Sequence, residues 1–455
     1  MNTMKYIKII MLLALVAVTN ACKEDDVDTS NSVFTKTTTQ QSEFDKWLEA
    51  NYAKPYNIEF NYRYVDKLTN NYYNVVPPNE KNSRAMSILL KHVWLDAYTE
   101  LMGKDFLKKN CFRVIQLIGS PQYDGQNKII LGTAEGGIQI TLFRINNLDL
   151  DNIYVNQDDP LKSHRDLPLD LNYWYFHTMH HEFCHILTQK KEYSTEYRTV
   201  SVGKYHTTDW INVSDEQALH EGFISGYASE QYNEDFAELY STYVTSTPAA
   251  WQKLMDKALI VQKDQDGNIL YQKDKKGNDV YKKDADGNPI PLYDKDDNLV
   301  PATDAKGNIM WEKDKNGKYI YILDSKGKRI PRYSIHENVK YQYGEDGSLL
   351  AYFVFKGKPY PITAHGGDPV YQVDEDGNTV FDKDGKPVPE YFKVPVFKYE
   401  RAPQVDTSGL DAILKKLDIL RSYFINTWGI DIDKLRDIVT RRASEIHQLD
   451  LKTLK

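Results

Sequence analysis

A ten-residue repeat in the second half of the chain constrains the fold more than any other feature. An aspartate recurs with a strict period of ten, at Asp264, Asp274, Asp284, Asp294, Asp304, Asp314 and Asp324. A glycine stands three residues after each of them, except that Asp297 takes its place once. Aspartate first and glycine fourth is typical of a type I turn closed by a left-handed residue. Each repeat should thus have a turn and about six extended residues, and we expect an antiparallel β meander.

Calcium binding is the competing explanation for these aspartates, because residues 264–268 read Asp-Gln-Asp-Gly-Asn. The repeats lack the calcium-loop ligand pattern that ends in glutamate, so we interpret the aspartates as turn residues. The pattern continues less regularly to about Tyr399, and helical periodicity returns afterwards. We therefore predict an all-β region over 263–400, inserted between two helices. Its expected role is a docking arm or a substrate-gathering surface, and the alternative is a passive spacer.

A second pattern lies upstream, where residues 181–185 read His-Glu-Phe-Cys-His. Residues four apart lie on one face of a helix, so His181 and His185 can reach the same metal ion. Glu182 lies beside the pair, where its carboxylate can take a proton from a water molecule. Imidazoles suit Zn²⁺ and a carboxylate suits the base, so the pattern predicts a zinc-dependent hydrolytic site. A short pattern of this kind also occurs by accident, and the site needs a third ligand.

The third ligand has to come from another part of the chain. Residues 214–217 have the form of a capping box, which predicts the start of a helix, and a second helix is expected over 233–243. That helix carries Glu234 and Glu238 four residues apart, with both carboxylates on one side. The pair is either a solvated acidic face or a metal-facing pair. In the second case Glu234 is the third ligand, and Glu238 accepts a hydrogen bond from a ligand histidine. Asp235 is the competing ligand, on a different side of the helix.

Residues 181–185, 222–228 and 234–238 together resemble the zinc-binding metallopeptidase lipoproteins associated with nutrient-import loci of Gram-negative bacteria. The resemblance covers most of the chain from about Ser42 to Ile260 and again from about Leu410. The two metal-binding helices also resemble, more remotely, the catalytic domain of anthrax lethal factor. These resemblances imply a zincin-like domain with Glu234 as the third zinc ligand and Glu238 behind the ligands. They also imply a role for Tyr227 in assisting the transition state.

The first residues predict export and lipidation. An apolar run over 9–18 follows a basic start, and it is about half as long as a membrane-spanning helix. We expect residues 1–22 to be a lipoprotein signal in which Cys22 is acylated, with ordinary secretion as the alternative. Residues 23–41 lack apolar periodicity, as expected of a flexible tether. The basic-then-acidic start of this tether resembles the tag of surface-exposed lipoproteins. The predicted location is therefore the outer membrane of a Gram-negative bacterium, at the cell surface.

The remaining composition and patterning define the expected body of the protein. With 455 residues and 41% hydrophobic residues the chain can build a sizeable core, and its net charge of −8 argues against nucleic acid as a partner. Helical and alternating segments predict an α+β metallopeptidase domain over 42–262, completed by C-terminal helices over 401–455. The strand over 138–145 is expected to border the cleft and pair with an extended substrate. Cys111 and Cys184 are expected to be buried apolar residues.

The leading hypothesis is a zinc metallopeptidase that acts on peptides or proteins and is held at the outer membrane by a lipid anchor. His181, His185 and Glu234 would hold Zn²⁺, Glu182 would act as the base, and Tyr227 would donate a hydrogen bond to the developing oxyanion. The alternative is a non-catalytic or vestigial zinc-binding accessory lipoprotein of a nutrient-import complex, acting through the repeat region. A structural zinc site needs neither Glu182 nor Tyr227, and this favours the enzyme.

Overall fold

The computed structural model describes residues 41–65, 74–123, 129–130, 132–135, 137–159 and 168–454. The predicted signal segment, Cys22 and the tether up to residue 40 lie outside these ranges. Within them the chain mixes helices and sheets, which agrees with the expected α+β class. None of the helices in the described ranges has both the length and the apolar character needed to cross a membrane.

The described α-helices follow one another along the chain as α1 (Glu43–Leu48), α2 (Lys54–Tyr56), α3 (Glu80–Leu90), α4 (Asp96–Met102), α5 (Lys104–Asn110), α6 (His177–Lys190), α7 (Glu196–Val200), α8 (Asp215–Glu221), α9 (Tyr232–Thr245), α10 (Pro248–Lys257), α11 (Ser408–Tyr423) and α12 (Ile432–Ser444). The described strands are β1 (Glu59–Asn61), β2 (Val114–Leu117), β3 (Gln122–Tyr123), β4 (Ile129–Ile130), β5 (Gly132–Glu135), β6 (Gln139–Leu142), β7 (Ile260–Val261), β8 (Lys340–Tyr343), β9 (Leu349–Phe355), β10 (Lys358–Pro361) and β11 (Val405–Asp406).

Local capping explains where several helices begin. The side chain of Ser42 accepts a hydrogen bond from the backbone of Asp45, and the Asp45 carboxylate accepts one from the backbone of Ser42, so α1 starts with a capping box. Ser214 caps α8 in the predicted place. A π-helical turn separates α3 from α4, and α4 ends at Gly103, whose φ is +80°.

The chain divides into two compact units. The first comprises the chain up to Ser194, Tyr240–Ala250 and the chain from Leu420 onward. Its main sheet has the strand order β1-β2-β6-β5; β1, β2 and β6 are parallel, and β5 is antiparallel to β6. Both edges of β6 are therefore paired. The expectation that residues 138–145 offer a free edge to substrate is wrong, because an interior strand has no unpaired backbone groups left to donate or accept.

At the edge of the described sheet, β5 contacts helix α6. Gly137 allows this close approach in the following turn, since a Cβ there would come within 2.8 Å of the Gln189 side chain of α6. In the core, α6 buries Phe183 edge-on against Trp94, with ring centroids 5.4 Å apart. Trp94 in turn stacks on Phe112 at 5.1 Å. This aromatic core orients α6 so that one face stays available for polar side chains.

The second unit comprises Thr195–Leu239 and Trp251–Ile419. It joins the repeats to residues upstream of them, so its limits differ from the predicted segment of 263–400. The turns have the predicted geometry. In the first, the Asp264 carbonyl accepts a hydrogen bond from Gly267 N at 3.1 Å. The fourth residue is left-handed in each repeat, with φ between +75° and +86° for the glycines and +59° for Asp297.

The repeats pair differently from a meander. Each repeat closes on itself through one bridge, such as Lys263 with Ile269, and then pairs with an extended segment over 387–403 that the repeats share. Tyr271 pairs with Pro403 and Tyr281 pairs with Arg401, so a step of ten residues along the repeats is a step of two along the shared segment. The turns occupy so much of each repeat that single bridges form where six-residue strands were expected.

The carboxylates of the turn aspartates accept hydrogen bonds from residues of their own turns. Asp264 Oδ1 accepts from the backbone of Asp266 and Asn268, and its Oδ2 accepts from the Asn268 side chain. These bonds hold the pKa of Asp264 below its ordinary value. The carboxylates therefore act as hydrogen-bond acceptors that form the turns, as the sequence predicts.

Candidate metal centre

Helix α6 places two histidines of the predicted motif on one face. A π-helical turn over Asn172–Phe176 leads directly into this helix. The Nε2 atoms of His181 and His185 are 3.0 Å apart, and their ring centroids are 4.7 Å apart. His181 is buried and His185 is partly exposed. The spacing of four residues therefore produces the convergence of ring nitrogens that the helical period requires.

The second half of helix α9 contacts the start of α6. Ser241 Oγ lies 2.9 Å from His177 Nε2, and the hydroxyl groups of Tyr240 and Tyr98 are 2.5 Å apart. The Tyr240 ring also stacks on Phe424, with centroids 4.3 Å apart. These contacts begin about two turns after Glu234 and fix the second half of α9 beside α6.

One ligand atom from each of His181, His185 and Glu234 lies within 4.8 Å of the other two. Two donors at the 2.0–2.1 Å bond lengths of tetrahedral zinc are about 3.4 Å apart. The 3.0 Å between the two imidazole nitrogens is close to that separation, and a small side-chain movement suffices for the carboxylate. Two imidazoles and a carboxylate also form a common zinc donor set. The residues present therefore fit a zinc ion.

Two neighbours contact the Glu234 carboxylate. Gln231 Nε2 donates a hydrogen bond to Glu234 Oε1 at 3.1 Å. The Tyr227 hydroxyl donates another, and burial together with Glu234 raises the pKa of Tyr227 far above its ordinary value. The Tyr227 ring packs beside Trp210, with centroids 4.9 Å apart. Tyr227 therefore keeps its proton and stands as a hydrogen-bond donor next to the potential metal ligands.

Glu238 is buried one turn after Glu234, where its Oε2 accepts a hydrogen bond from Ser225 Oγ at 2.7 Å. Ser225 Oγ also accepts from the backbone of Ala228 at 3.1 Å. Ser225 thus ties Glu238 to the short turn that carries Tyr227. No spacing in the sequence marks Ser225 or Gln231 as a site residue, although Ser225 lies in the family-like stretch 222–228. The predicted hydrogen bond from a ligand histidine to Glu238 stays a prediction.

The competing ligand Asp235 has another role. Its Oδ2 lies 2.7 Å from Lys416 Nζ, both side chains are only 1% exposed, and the Tyr205 hydroxyl donates to the same oxygen at 2.9 Å. His180 is fully buried with Nδ1 3.1 Å from the Tyr98 hydroxyl, and burial lowers the pKa of His180 to about 3. Asp235 is thus bound in an ion pair, and His180 is a neutral core residue.

The two described cysteines, Cys111 and Cys184, are buried and unbridged. Burial raises the pKa of the Cys111 thiol well above its ordinary value. Cys184 lies within the motif of α6 but is fully enclosed. The expectation that both are buried apolar residues is confirmed.

The mixed fold and the helix-borne set of two histidines and a glutamate define a zinc-binding metallopeptidase class. The family described as "Putative zinc-binding metallo-peptidase" matches residues 36–284, more than half of the chain. The chain belongs to this family. It is similar to the crystal structure of a "putative zinc-binding metallo-peptidase" from Bacteroides caccae ATCC 43185, with 25% identity and a TM-score of 0.50 over 93% of this chain and 100% of that one. A comparison with curated proteins found no match.

Proposed function

We propose that the protein hydrolyses peptide bonds as a zinc-dependent metallopeptidase. The observation that carries this proposal is the convergence of ligand atoms from His181, His185 and Glu234 within 4.8 Å, with Glu182 next to His181 in the same helix. Zn²⁺ held by these three side chains would supply Lewis-acid chemistry, lowering the pKa of a water molecule and polarising a carbonyl.

The protein side chains then have separate tasks. Glu182 takes a proton from the attacking water and returns it to the leaving amine. Tyr227 keeps its proton because burial and Glu234 raise its pKa, so it can donate a hydrogen bond to the oxyanion that develops on the substrate. Glu238, held by Ser225, orients the ligand groups through its remaining acceptor positions.

We propose that an extended substrate lies along β5. This strand is antiparallel to β6, ends the described sheet and contacts α6. Its outer backbone groups are therefore in position for strand addition, which β6 cannot offer. Lipidation at Cys22, outer-membrane location and association with a nutrient-import complex are further proposals that depend on the leader sequence and the family resemblance.

The test compares wild-type protein with Glu182→Gln for zinc content and for cleavage of a peptide library. The variant should bind the same amount of zinc and should lose peptide cleavage by several orders of magnitude, since it keeps the ligands and removes the base. Glu192→Gln, an exposed glutamate just beyond α6, is the matched control and should cleave like wild type. Equal cleavage by Glu182→Gln contradicts the mechanism. Zinc binding without any cleavage by wild type would instead favour the accessory-lipoprotein alternative.

A further inference from the structure

Arg144 is a buried cation in an unusual backbone conformation. It follows β6 by two residues, has a φ of +65°, and is 8% exposed. A left-handed conformation is uncommon for a residue with a side chain, and such strain is concentrated at functional positions. Buried arginines are rare unless they are paired.

The guanidinium group of Arg144 is stacked but not paired. It lies over the Trp174 ring, 4.2 Å from the centroid. Its Nε and Nη1 atoms are inaccessible to solvent, and within the described ranges neither makes a hydrogen bond. No carboxylate in those ranges forms an ion pair with it. The nearby phenol of Tyr175 already donates to the Phe143 carbonyl at 3.1 Å. These two donors are unused and suit a planar anion such as a carboxylate, which has to approach them through the exposed 8% of the residue.

Arg144 also lies near one end of β5, along which the substrate is proposed to bind. Its partner Trp174 belongs to the π-helical turn that continues into α6, seven residues before His181, which is about 10 Å along a helix. In the sheet, Gly132 of β5 pairs with Leu142, two residues before Arg144. A peptide added antiparallel to β5 therefore has its C-terminal part at the Gly132 end of the strand, on the side of Arg144.

We propose that Arg144 binds a substrate carboxylate on the C-terminal side of the cleaved bond, about three extended residues away from it. The carboxylate belongs either to an acidic side chain or to the peptide C-terminus. This inference rests on the proposed peptidase function. It makes Arg144 a specificity residue, and the two carboxylate sources are separated by the experiment.

The experiment measures cleavage of three octapeptide libraries by mass spectrometry. The first library contains acidic residues and has a free C-terminus, and the second contains acidic residues and has an amidated C-terminus. The third library lacks acidic residues and has an amidated C-terminus. Wild type should cleave carboxylate-bearing peptides about tenfold faster or more, the usual contribution of a charge-assisted hydrogen bond. Arg144→Met should lose that preference and keep the slow cleavage of the third library. A preference for the first library over the second assigns the terminal carboxylate, and equal rates assign an acidic side chain. An unchanged preference in Arg144→Met overturns the proposal.

Arg84→Met is the matched control, because the Arg84 guanidinium lies 5.5 Å from the Phe44 ring centroid but is paired with Glu80. It should keep the wild-type preference. The thermal midpoint of Arg144→Met should equal or exceed that of wild type, since the variant removes an unpaired buried charge and keeps an apolar chain over Trp174. A clear fall in its midpoint together with unchanged peptide preference would show a structural role and overturn the proposal.

Failure of the peptidase function has a different signature. If wild type cleaves none of the libraries, the carboxylate site is judged by binding of succinate, with succinamide as the uncharged probe. Succinate should raise the thermal midpoint of wild type more than that of Arg144→Met, and succinamide should not distinguish them. Equal shifts by succinate in the two proteins overturn the inference on its own.

Discussion

The buried ion pair between Lys416 and Asp235 provides the sharpest test of what holds the second unit together. Lys416 Nζ lies 2.7 Å from the Asp235 carboxylate, 2.8 Å from the Gly222 carbonyl oxygen and 4.1 Å from the Phe223 ring centroid. One side chain from α11 thus connects α9 to the end of α8. Each charge has lost its hydration, so each depends on its partner.

Lys416→Met should destabilise the protein by about 3–5 kcal/mol, because it leaves the Asp235 carboxylate buried without its counter-charge. The neighbouring Lys415→Met is the control. Lys415 forms a 3.6 Å ion pair with Glu196 in which both side chains are more than half exposed, and such pairs contribute between zero and about 1 kcal/mol. Two adjacent lysines on one helix should therefore differ strongly in their effect on stability.

The measurement is urea unfolding followed by tryptophan fluorescence, with the change in midpoint converted to free energy through the slope of the transition. The double variant Lys416→Met/Asp235→Leu should recover most of the loss, since an apolar pair replaces the buried charges. A Lys416→Met protein that unfolds at the same urea concentration as Lys415→Met would refute the reasoning.

Two further predictions concern the second unit. Gly277→Ala should lower the free energy of unfolding in urea by about 1 kcal/mol. Gly277 has a φ of +85° and a Cβ there meets no atom within 4 Å, so the substitution adds only backbone strain. Gly277→Asn should lower it less, and an equal loss in the two variants would contradict this account. The hydrogen bond from His206 to Glu221, 2.7 Å long, raises the pKa of His206. Burial raises the pKa of Glu221, but hydrogen bonds from Gln217 and His206 together bring that pKa below its ordinary value. The pair should therefore stabilise the fold below the unfolded histidine pKa of about 6.5 and lose that effect as pH rises through the raised pKa of His206. The difference in thermal midpoint between wild type and His206→Gln should thus be largest near about pH 5–6; a difference that grows above about pH 8 would show the opposite sign.

Much of the local structure followed from spacing along the chain. The strand expected over residues 138–145 occurs as β6, but it is shorter than its alternating pattern. Alternation reports which residues fit a pleated surface, whereas the length of a strand depends on the neighbour with which it pairs. The same limit explains the error over residues 138–145, since nothing in the alternation says that two partners lie beside this strand.

The candidate site shows a similar division. Residues 181–185 and the pair Glu234 and Glu238 could be recognised because helical spacing and family resemblance both mark them. Gln231 and Arg144 carry neither mark, and Ser225 lies in the family-like stretch 222–228 without a spacing that singles it out. A lone serine, glutamine or arginine acquires its role only from the group that folding brings beside it.

By itself, the sequence determined the features that depend on residues close in the chain. The turns of the repeats follow from Asp264, Gly267 and their equivalents, since the aspartate accepts local hydrogen bonds and the glycine adopts a positive φ without strain. The placement of His181 and His185 on one face follows from the helical period. The tertiary structure alone decided that Glu234 lies near these histidines while Asp235 pairs with Lys416. It also decided that the repeats share one extended segment, and that Arg144 is buried without an anion among the described residues. Those outcomes depend on contacts between distant segments, whose geometry and desolvation no local pattern contains.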